Sequence, residues 1–328
     1  MSGRKLPFVS ASVCEAVLDP GDVINRIEEV FHWHAEGSII AAKPSAMRIH
    51  CDVPAFKSHT KSVVVTPLSI VGIRIVGYCV HPDGSGPSAP NSTRLVLLID
   101  LHTGEPIALI DEHYNYTLRT AAAVAVAAKH LAPENPCLGI IGAGGVAKAV
   151  LGIFAKALPL GRVVIASRRP ESRDSMVRHF RDKINVPLEA TNSIEQVLAY
   201  CNLIVTATTT QSALVSAHQV RPGMLLCALG SFELEPKIYR QADKLFVDDW
   251  SQTESASDIA SMIKSGFLSR DDLTAELADV VTGRVEGRSS PAEIIIVRTE
   301  GLASQDIALS HWAFTEASQR DLLQYMIT

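Results

Sequence analysis

Gly142-Ala143-Gly144-Gly145-Val146-Ala147 sets a G-x-G-x-x-A spacing at the end of the apolar run from Leu138 to Ile141, and small and apolar residues follow it. In a dinucleotide-binding turn the first glycine permits the tight bend and the second lets backbone approach a pyrophosphate. The third small residue lets helix and strand pack closely, with the helix N-terminus facing the phosphates. Glycine turns also serve as plain connectors, so the context carries the reading. A helix is expected from Lys148 to Leu158, then a second strand, Arg162–Ala166. An acid closing that second strand would accept the ribose hydroxyls of NAD. This chain instead has Ser167-Arg168-Arg169-Pro170, and a guanidinium pair suits the extra phosphate of NADP. NADP(H) is therefore the preferred cofactor and NAD(H) the possible one. The competing reading has Arg168 stacked on adenine and Arg169 as a solvated charge at a helix start. Thr206, Ala207 and Thr208 end a further strand and would border the nicotinamide ribose, unless the threonines only cap the next helix.

These residues need a scaffold, and the chain is long enough for one: 328 residues suggest two domains, each with its own core. A net charge of -5 argues against non-specific nucleic-acid binding. No apolar stretch reaches the roughly 20 residues of a membrane span, and the residues from Met1 to Pro7 do not read as a targeting segment, so a cytoplasmic protein is expected. Six scattered cysteines without C-x-x-C spacing read as small buried hydrophobes in a reducing compartment. An amphipathic helix is expected at Pro20–Ala35, with strands at Ser62–Thr66, Val71–Val76 and Arg94–Ile99. His81–Pro90 is the most loop-like stretch. An alanine-rich helix, Thr120–Leu131, leads into strands at Leu203–Thr206, Met224–Leu229 and Leu245–Asp248. Strands alternating with helices imply a doubly wound parallel sheet.

Several landmarks lie in one order over nearly the whole chain. They are Asp100-Leu101-His102-Thr103-Gly104, Tyr116-Thr117-Leu118-Arg119-Thr120, Gly142-Ala143-Gly144 and Val205-Thr206-Ala207-Thr208. Gly230-Ser231, Ala242-Asp243 with Val247-Asp248, and Gly301-Leu302 with Gln305-Asp306 complete the set. The chain resembles the ornithine cyclodeaminase/mu-crystallin family in these. The resemblance implies an α/β protein in which a Rossmann-type domain (120–304) is inserted in a smaller α+β domain (1–119 plus 305–328) that binds substrate and forms a homodimer. The implied reactions join an imino or amino acid to a nicotinamide cofactor, with no metal, membrane or nucleic acid.

Imine reduction needs cations for a carboxylate, a proton for the imine nitrogen, and a carbon held against the nicotinamide. Arg119, in the segment matching the family's substrate arginine, is the first choice for the carboxylate; its plain alternative is a salt bridge to Asp111 or Glu112. The family's second basic ligand matches either Lys43 or Arg48, with Lys43 slightly favoured. The family's catalytic lysine falls on Arg74, in Gly72-Ile73-Arg74-Ile75-Val76. Arginine stays protonated and is a poor proton donor. Arg74 then becomes a second carboxylate clamp, or a solvent-facing charge, and the acid must be Lys61, Lys57, His59 or a held water.

The loop after Gly230 and Ser231 is shorter than in cyclodeaminases and lacks their aspartate, with Glu233 a weak substitute. Gly301 matches the segment near the nicotinamide amide. Asp306 reads as a helix cap more readily than as a substrate contact. His32 and His34 face different sides of a helix and make a poor metal site. The expected activity is reduction of a ketimine carboxylate, such as Δ1-pyrroline-2-carboxylate or Δ1-piperideine-2-carboxylate, to an L-amino acid. The alternatives are a cyclodeaminase, an opine, alanine or iminosuccinate dehydrogenase, and last a non-enzymatic binder.

Overall fold

The computed structural model describes residues 5–52, 55–79, 92–255 and 257–327. The loop expected at His81–Pro90 lies outside them. The chain splits into two compact units, Met1–Arg119 with Leu302–Thr328, and Thr120–Gly301.

The first unit is built on a largely antiparallel sheet. Its strands are β1 (Lys5–Val9), β2 (Ile39–Ala41), β3 (Met47–Asp52), β4 (Ala55–Val65), β5 (Ile70–Cys79), β6 (Thr93–Asp100) and β7 (Pro106–Asp111), with Gln324–Ile327 on the far side of β1. Among the described residues only the β1–β7 pairing of this sheet is parallel. β4 and β5 form a long ladder in which Lys61 pairs with Arg74, Val63 with Gly72 and His59 with Val76. A short turn joins them, and in it Ser69 takes a left-handed conformation (φ 53°). Directly paired residues project to the same face of a sheet, so one face carries Lys61, Val63, Gly72 and Arg74, all buried. The helix Ala303–Gln319 packs on this face. A Cβ on Gly72 would come within 2.3 Å of Ile307 Cδ1, so glycine here lets helix and sheet approach.

The second unit is a fully parallel sheet of β8 (Cys137–Ile141), β9 (Arg162–Ala166), β10 (Leu188–Thr191), β11 (Leu203–Thr206), β12 (Leu225–Ala228), β13 (Lys244–Val247), β14 (Ala275–Glu276) and β15 (Ile295–Arg298). The order is β10-β9-β8-β11-β12-β15-β13-β14. β11, β12 and β15 are buried along their whole length, as expected for strands covered on both faces. The order reverses between β8 and β11, the place in such sheets where a crevice opens for a ligand.

Several expectations need adjustment. Of the strand expected at Ser62–Thr66, Ser62–Val65 is the end of β4 and Thr66 opens the following turn; the earlier half of β4, with Lys57, Ser58, His59, Thr60 and Lys61, is too polar to read as a strand. The alanine-rich helix begins at Asn115, so Arg119 lies inside it rather than ahead of it. The cysteines divide: Cys14, Cys201 and Cys227 are buried, whereas Cys51 and Cys79 are exposed, and Cys137 Sγ is 3.2 Å from Cys201 Sγ. Among the described residues no helix is long and apolar enough to cross a membrane.

Candidate functional site

In the first unit, charge is concentrated on the sheet face covered by the helix Ala303–Gln319. Arg74 is buried there, against the solvent-facing alternative, because the helix covers the β5 face that alternation would otherwise leave wet. Its Nε donates to Glu112 Oε2 at 2.8 Å, and its Nη2 lies within ion-pair distance of Glu112 Oε1, 2.7 Å. Arg119 donates through Nε to Asp306 Oδ1 at 2.7 Å, and Arg74 Nε lies 3.4 Å from the same oxygen. The plain alternative for Arg119, a pair with Asp111 or Glu112, is thus replaced by Asp306.

Asp306 is not a cap. The helix starts at Ala303 behind Leu302 without a side-chain cap, and the Asp306 carboxylate is buried among cations. Burial opposes its ionised form, but Arg119, Arg74 and Lys61 outweigh that and hold its carboxyl below the ordinary range. Glu112 goes the other way. Burial and the neighbouring Asp306 charge outweigh Arg74 and push it up to about 7.

Lys61 is buried beside Arg74, one strand away. Arg48 lies on β3 opposite His59 and is exposed, while Lys43 is exposed in the bend between β2 and β3, outside the ladder. Arg48 acts on His59 and so adjoins the cluster, while Lys43 follows the end of β2. Lys57 is exposed. Burial, followed by Arg74, Lys61, Arg48 and Arg94, pushes His59 down to about 4, which leaves a neutral ring among four cations. Arg94 went unnoticed in the sequence because it opens an ordinary apolar strand. It is stacked over the Tyr116 ring at 3.9 Å, and its carbonyl accepts from Glu112 N at 3.1 Å.

In the second unit the glycine turn has the form a dinucleotide needs. Gly142 sits at φ 126°, where a Cβ would lie 2.4 Å from the Ala207 carbonyl oxygen. Ala143 is half-buried, and open space lies around the Cβ position of Gly144, which precedes the helix Gly145–Ala157. Gly144 and Gly145 are exposed, Val146 is half-buried, and Ala147 is buried against the sheet. This leaves backbone N–H groups at a helix start open to a pyrophosphate, so the residues present fit the cofactor. Ser167 follows β9 with its carbonyl held by Arg173 Nη1 at 2.8 Å, and Arg168 and Arg169 are exposed beyond it.

Glu233 is fully buried and ties the ends of β11 and β12 together. It accepts from Thr206 Oγ1, Thr208 N, Thr208 Oγ1 and Gly230 N, each at 2.7 Å. With four donors aimed at it, Glu233 is an internal brace rather than a replacement for the loop aspartate. The threonines serve this brace and not only a cap. Ser231 Oγ accepts from Arg298 Nη2 at 3.1 Å, and buried Arg298 also pairs with Asp258 at 3.3 Å and Glu300 at 2.9 Å. Gly301 N donates to Asp248 Oδ2 at 2.6 Å. A charged residue ending the apolar run Ile294–Val297 was the available signal for Arg298. Among the described residues no group of side chains could hold a metal ion.

A doubly wound sheet with this glycine turn, joined to a sheet unit rich in buried arginines, defines a nucleotide-dependent oxidoreductase class. The chain belongs to the ornithine cyclodeaminase/mu-crystallin family, whose model matches residues 9–320. It is 27% identical to the alanine dehydrogenase of Archaeoglobus fulgidus over 94% of each chain. Its fold matches the Δ1-pyrroline-2-carboxylate reductase of Thermococcus litoralis, solved with NADH and L-proline, at a TM-score of 0.90 with 23% identity, covering 97% of this chain and 99% of that one. The iminosuccinate reductase of Paracoccus denitrificans, solved with NAD+, gives 0.87 and 25%, covering 98% and 99%.

Proposed function

We propose that the protein reduces the C=N bond of a ketimine carboxylate to an L-amino acid. The first unit serves for substrate binding and dimerisation, and the second for cofactor binding. The observation that carries the reading is the buried cluster of Lys61, Arg74 and Arg119 around Glu112 and Asp306. When bound, the reduced nicotinamide supplies a hydride for the imine carbon. Gly142, Ala143, Gly144, Gly145, Val146 and Ala147 hold the pyrophosphate; Thr206, Ala207, Thr208, Gly230, Ser231 and Gly301 frame the nicotinamide end. Ser167, Arg168 and Arg169 favour NADP(H) over NAD(H), since two exposed guanidinium groups and no acid follow β9.

Arg119 holds the substrate carboxylate through its terminal nitrogens while Asp306 fixes its Nε. Lys61 gives the imine nitrogen its proton. It stands directly across the ladder from Arg74, the position where the family carries lysine, so the ammonium is restored from the neighbouring strand. Arg74 acts through Glu112, which occupies its fork, and Arg48 completes the positive rim. Lys43 is assigned no role.

Cyclodeamination is disfavoured because the loop between Gly230 and Glu233 is short and its carboxylate is engaged by four donors. Exposed Ile40, Met47 and Ile49 on β2 and β3 support a homodimer formed by that edge. The test is NADPH oxidation by the purified protein with Δ1-pyrroline-2-carboxylate, run beside NADH, and beside ornithine with ammonia detection. Formation of proline with stoichiometric NADPH loss is expected. Ammonia from ornithine without net cofactor change would replace this reading with cyclodeamination.

A further inference from the structure

Among the described residues the charge in this cluster does not balance. Five cations, Arg48, Lys61, Arg74, Arg94 and Arg119, adjoin two carboxylates, Glu112 and Asp306. Glu112 is paired with Arg74, and Asp306 with Arg119, with Arg74 and Lys61 beside it. The carboxylate of a simple imino acid would answer one further cation. Arg94 is still left: among the described residues it has no ion pair, only the Tyr116 ring beneath it. Burial disfavours its charged form, and Arg74 and Arg119 oppose it further, against Tyr116 and Glu112. A half-buried guanidinium held among like charges is stabilised by an anionic ligand.

The sheet register locates that site. Lys61, Arg74 and Val96 form one row across β4, β5 and β6, and Arg48, His59, Val76 and Arg94 form the next row across β3 to β6. The rows are two residues apart along the strands, about 6.6 Å. In an extended four- or five-carbon diacid the two carboxylate carbons lie about 4 to 6 Å apart by standard bond lengths. Lys61 and Arg94 also lie two strands apart, about 10 Å across the sheet, so a first carboxylate near the Lys61 row and a second near the Arg94 row are spanned by such a diacid together with the length of the Arg94 side chain.

We infer that the substrate is a dicarboxylic imino acid whose distal carboxylate is bound by Arg94, one row along the sheet from the groups that hold the first carboxylate, with Arg48 three strands away adding positive charge at the rim. The inference rests on the imine-reductase reading for its reaction and on the sheet register for its geometry. His59, neutral in the middle of the four cations, accommodates a second negative charge without repelling it, and its ring reports the arrival of that charge.

The test compares the ketimine formed from oxaloacetate and ammonia with Δ1-pyrroline-2-carboxylate, in the wild type, Arg94→Met and Arg94→Lys. The diacid is expected to be the better substrate of the wild type. The ratio of kcat/KM for diacid over monoacid should fall about 10- to 100-fold in Arg94→Met, the range for loss of a charge-assisted hydrogen bond, and recover in part in Arg94→Lys. A wild type that prefers the monoacid, or a ratio unmoved in Arg94→Met, would overturn the inference. Calorimetry separates it from the parent reading. L-aspartate should bind more tightly than L-alanine in an Arg94-dependent way, raising the His59 titration midpoint seen by NMR. If neither ketimine oxidises NADPH or NADH but this binding is found, the reductase reading falls and the diacid site stands. If L-aspartate binds no better than L-alanine, the site falls.

Discussion

Arg74 and Glu112 form a two-pronged ion pair, 2.8 and 2.7 Å, with both side chains buried and a second carboxylate, Asp306, 3.4 Å from the same arginine. An arginine clasped in this way has little of its planar fork left for a ligand. It is better suited to fixing a carboxyl group than to handing on a proton. On the proposed reading the proton comes from Lys61.

Lys61→Met should lower kcat for ketimine reduction by about 100-fold or more, within the usual contribution of a general acid, while NADPH binding followed by fluorescence is retained. Lys61→Arg keeps the charge and should fail to restore the rate. Full activity in Lys61→Arg would show that only the positive charge matters.

Glu112 links the cluster to pH. Its folded pKa, about 7, lies above the ordinary value of 4.5, with burial as the first cause and Asp306 as the second. A raised carboxyl stabilises the fold below the unfolded pKa and loses that contribution as pH climbs through the folded one. Stability should therefore decline between about pH 4.5 and 7, and Glu112→Gln should flatten that decline. Urea midpoints at pH 5 and pH 7.5 for both proteins measure it, and parallel curves would count against the assignment.

Gly72→Val would press a side chain into Ile307. Overpacking of this kind costs about 1 to 3 kcal/mol, read from chemical denaturation. Adding Ile307→Ala should return part of the loss if the contact is the cause; additive losses would point elsewhere.

Replacing Arg168 and Arg169 together by serine should raise KM for NADPH by about 10-fold or more and change KM for NADH far less, since charge-assisted hydrogen bonds to the extra phosphate are worth about 1.5 to 3 kcal/mol. Equal effects on both cofactors would mean that the pair does not face that phosphate.

Local patterns made much of this legible. Arg162–Ala166 and Leu203–Thr206 are the strands their β-branched runs suggest, and Pro20–Ala35 is the helix its apolar spacing suggests. Gly142 announced its turn because few residues tolerate its backbone. What stayed hidden depends on partners far apart in the chain. Asp306 resembled a cap because a carboxylate in a first helical turn usually is one, and Arg119 lies 187 residues away. Glu233 looked like a spare loop acid, since nothing local indicates that β11 and β12 bring four donors to it. The polar half of β4 broke the apolar alternation because its buried face holds charge instead of a core.

The turn from Thr66 to Ser69 carries none of the cluster's charged residues, yet it sets which residue of β4 faces Arg74. It works as a ruler. A strand that slips by one position turns every side chain to the opposite face. One residue inserted in this hairpin would keep Lys61, His59 and Arg74 in the chain while taking the ammonium out of the row it shares with the guanidinium. Chemistry in this family member is therefore encoded partly in a length, and a variant identical at every charged position can still be inactive.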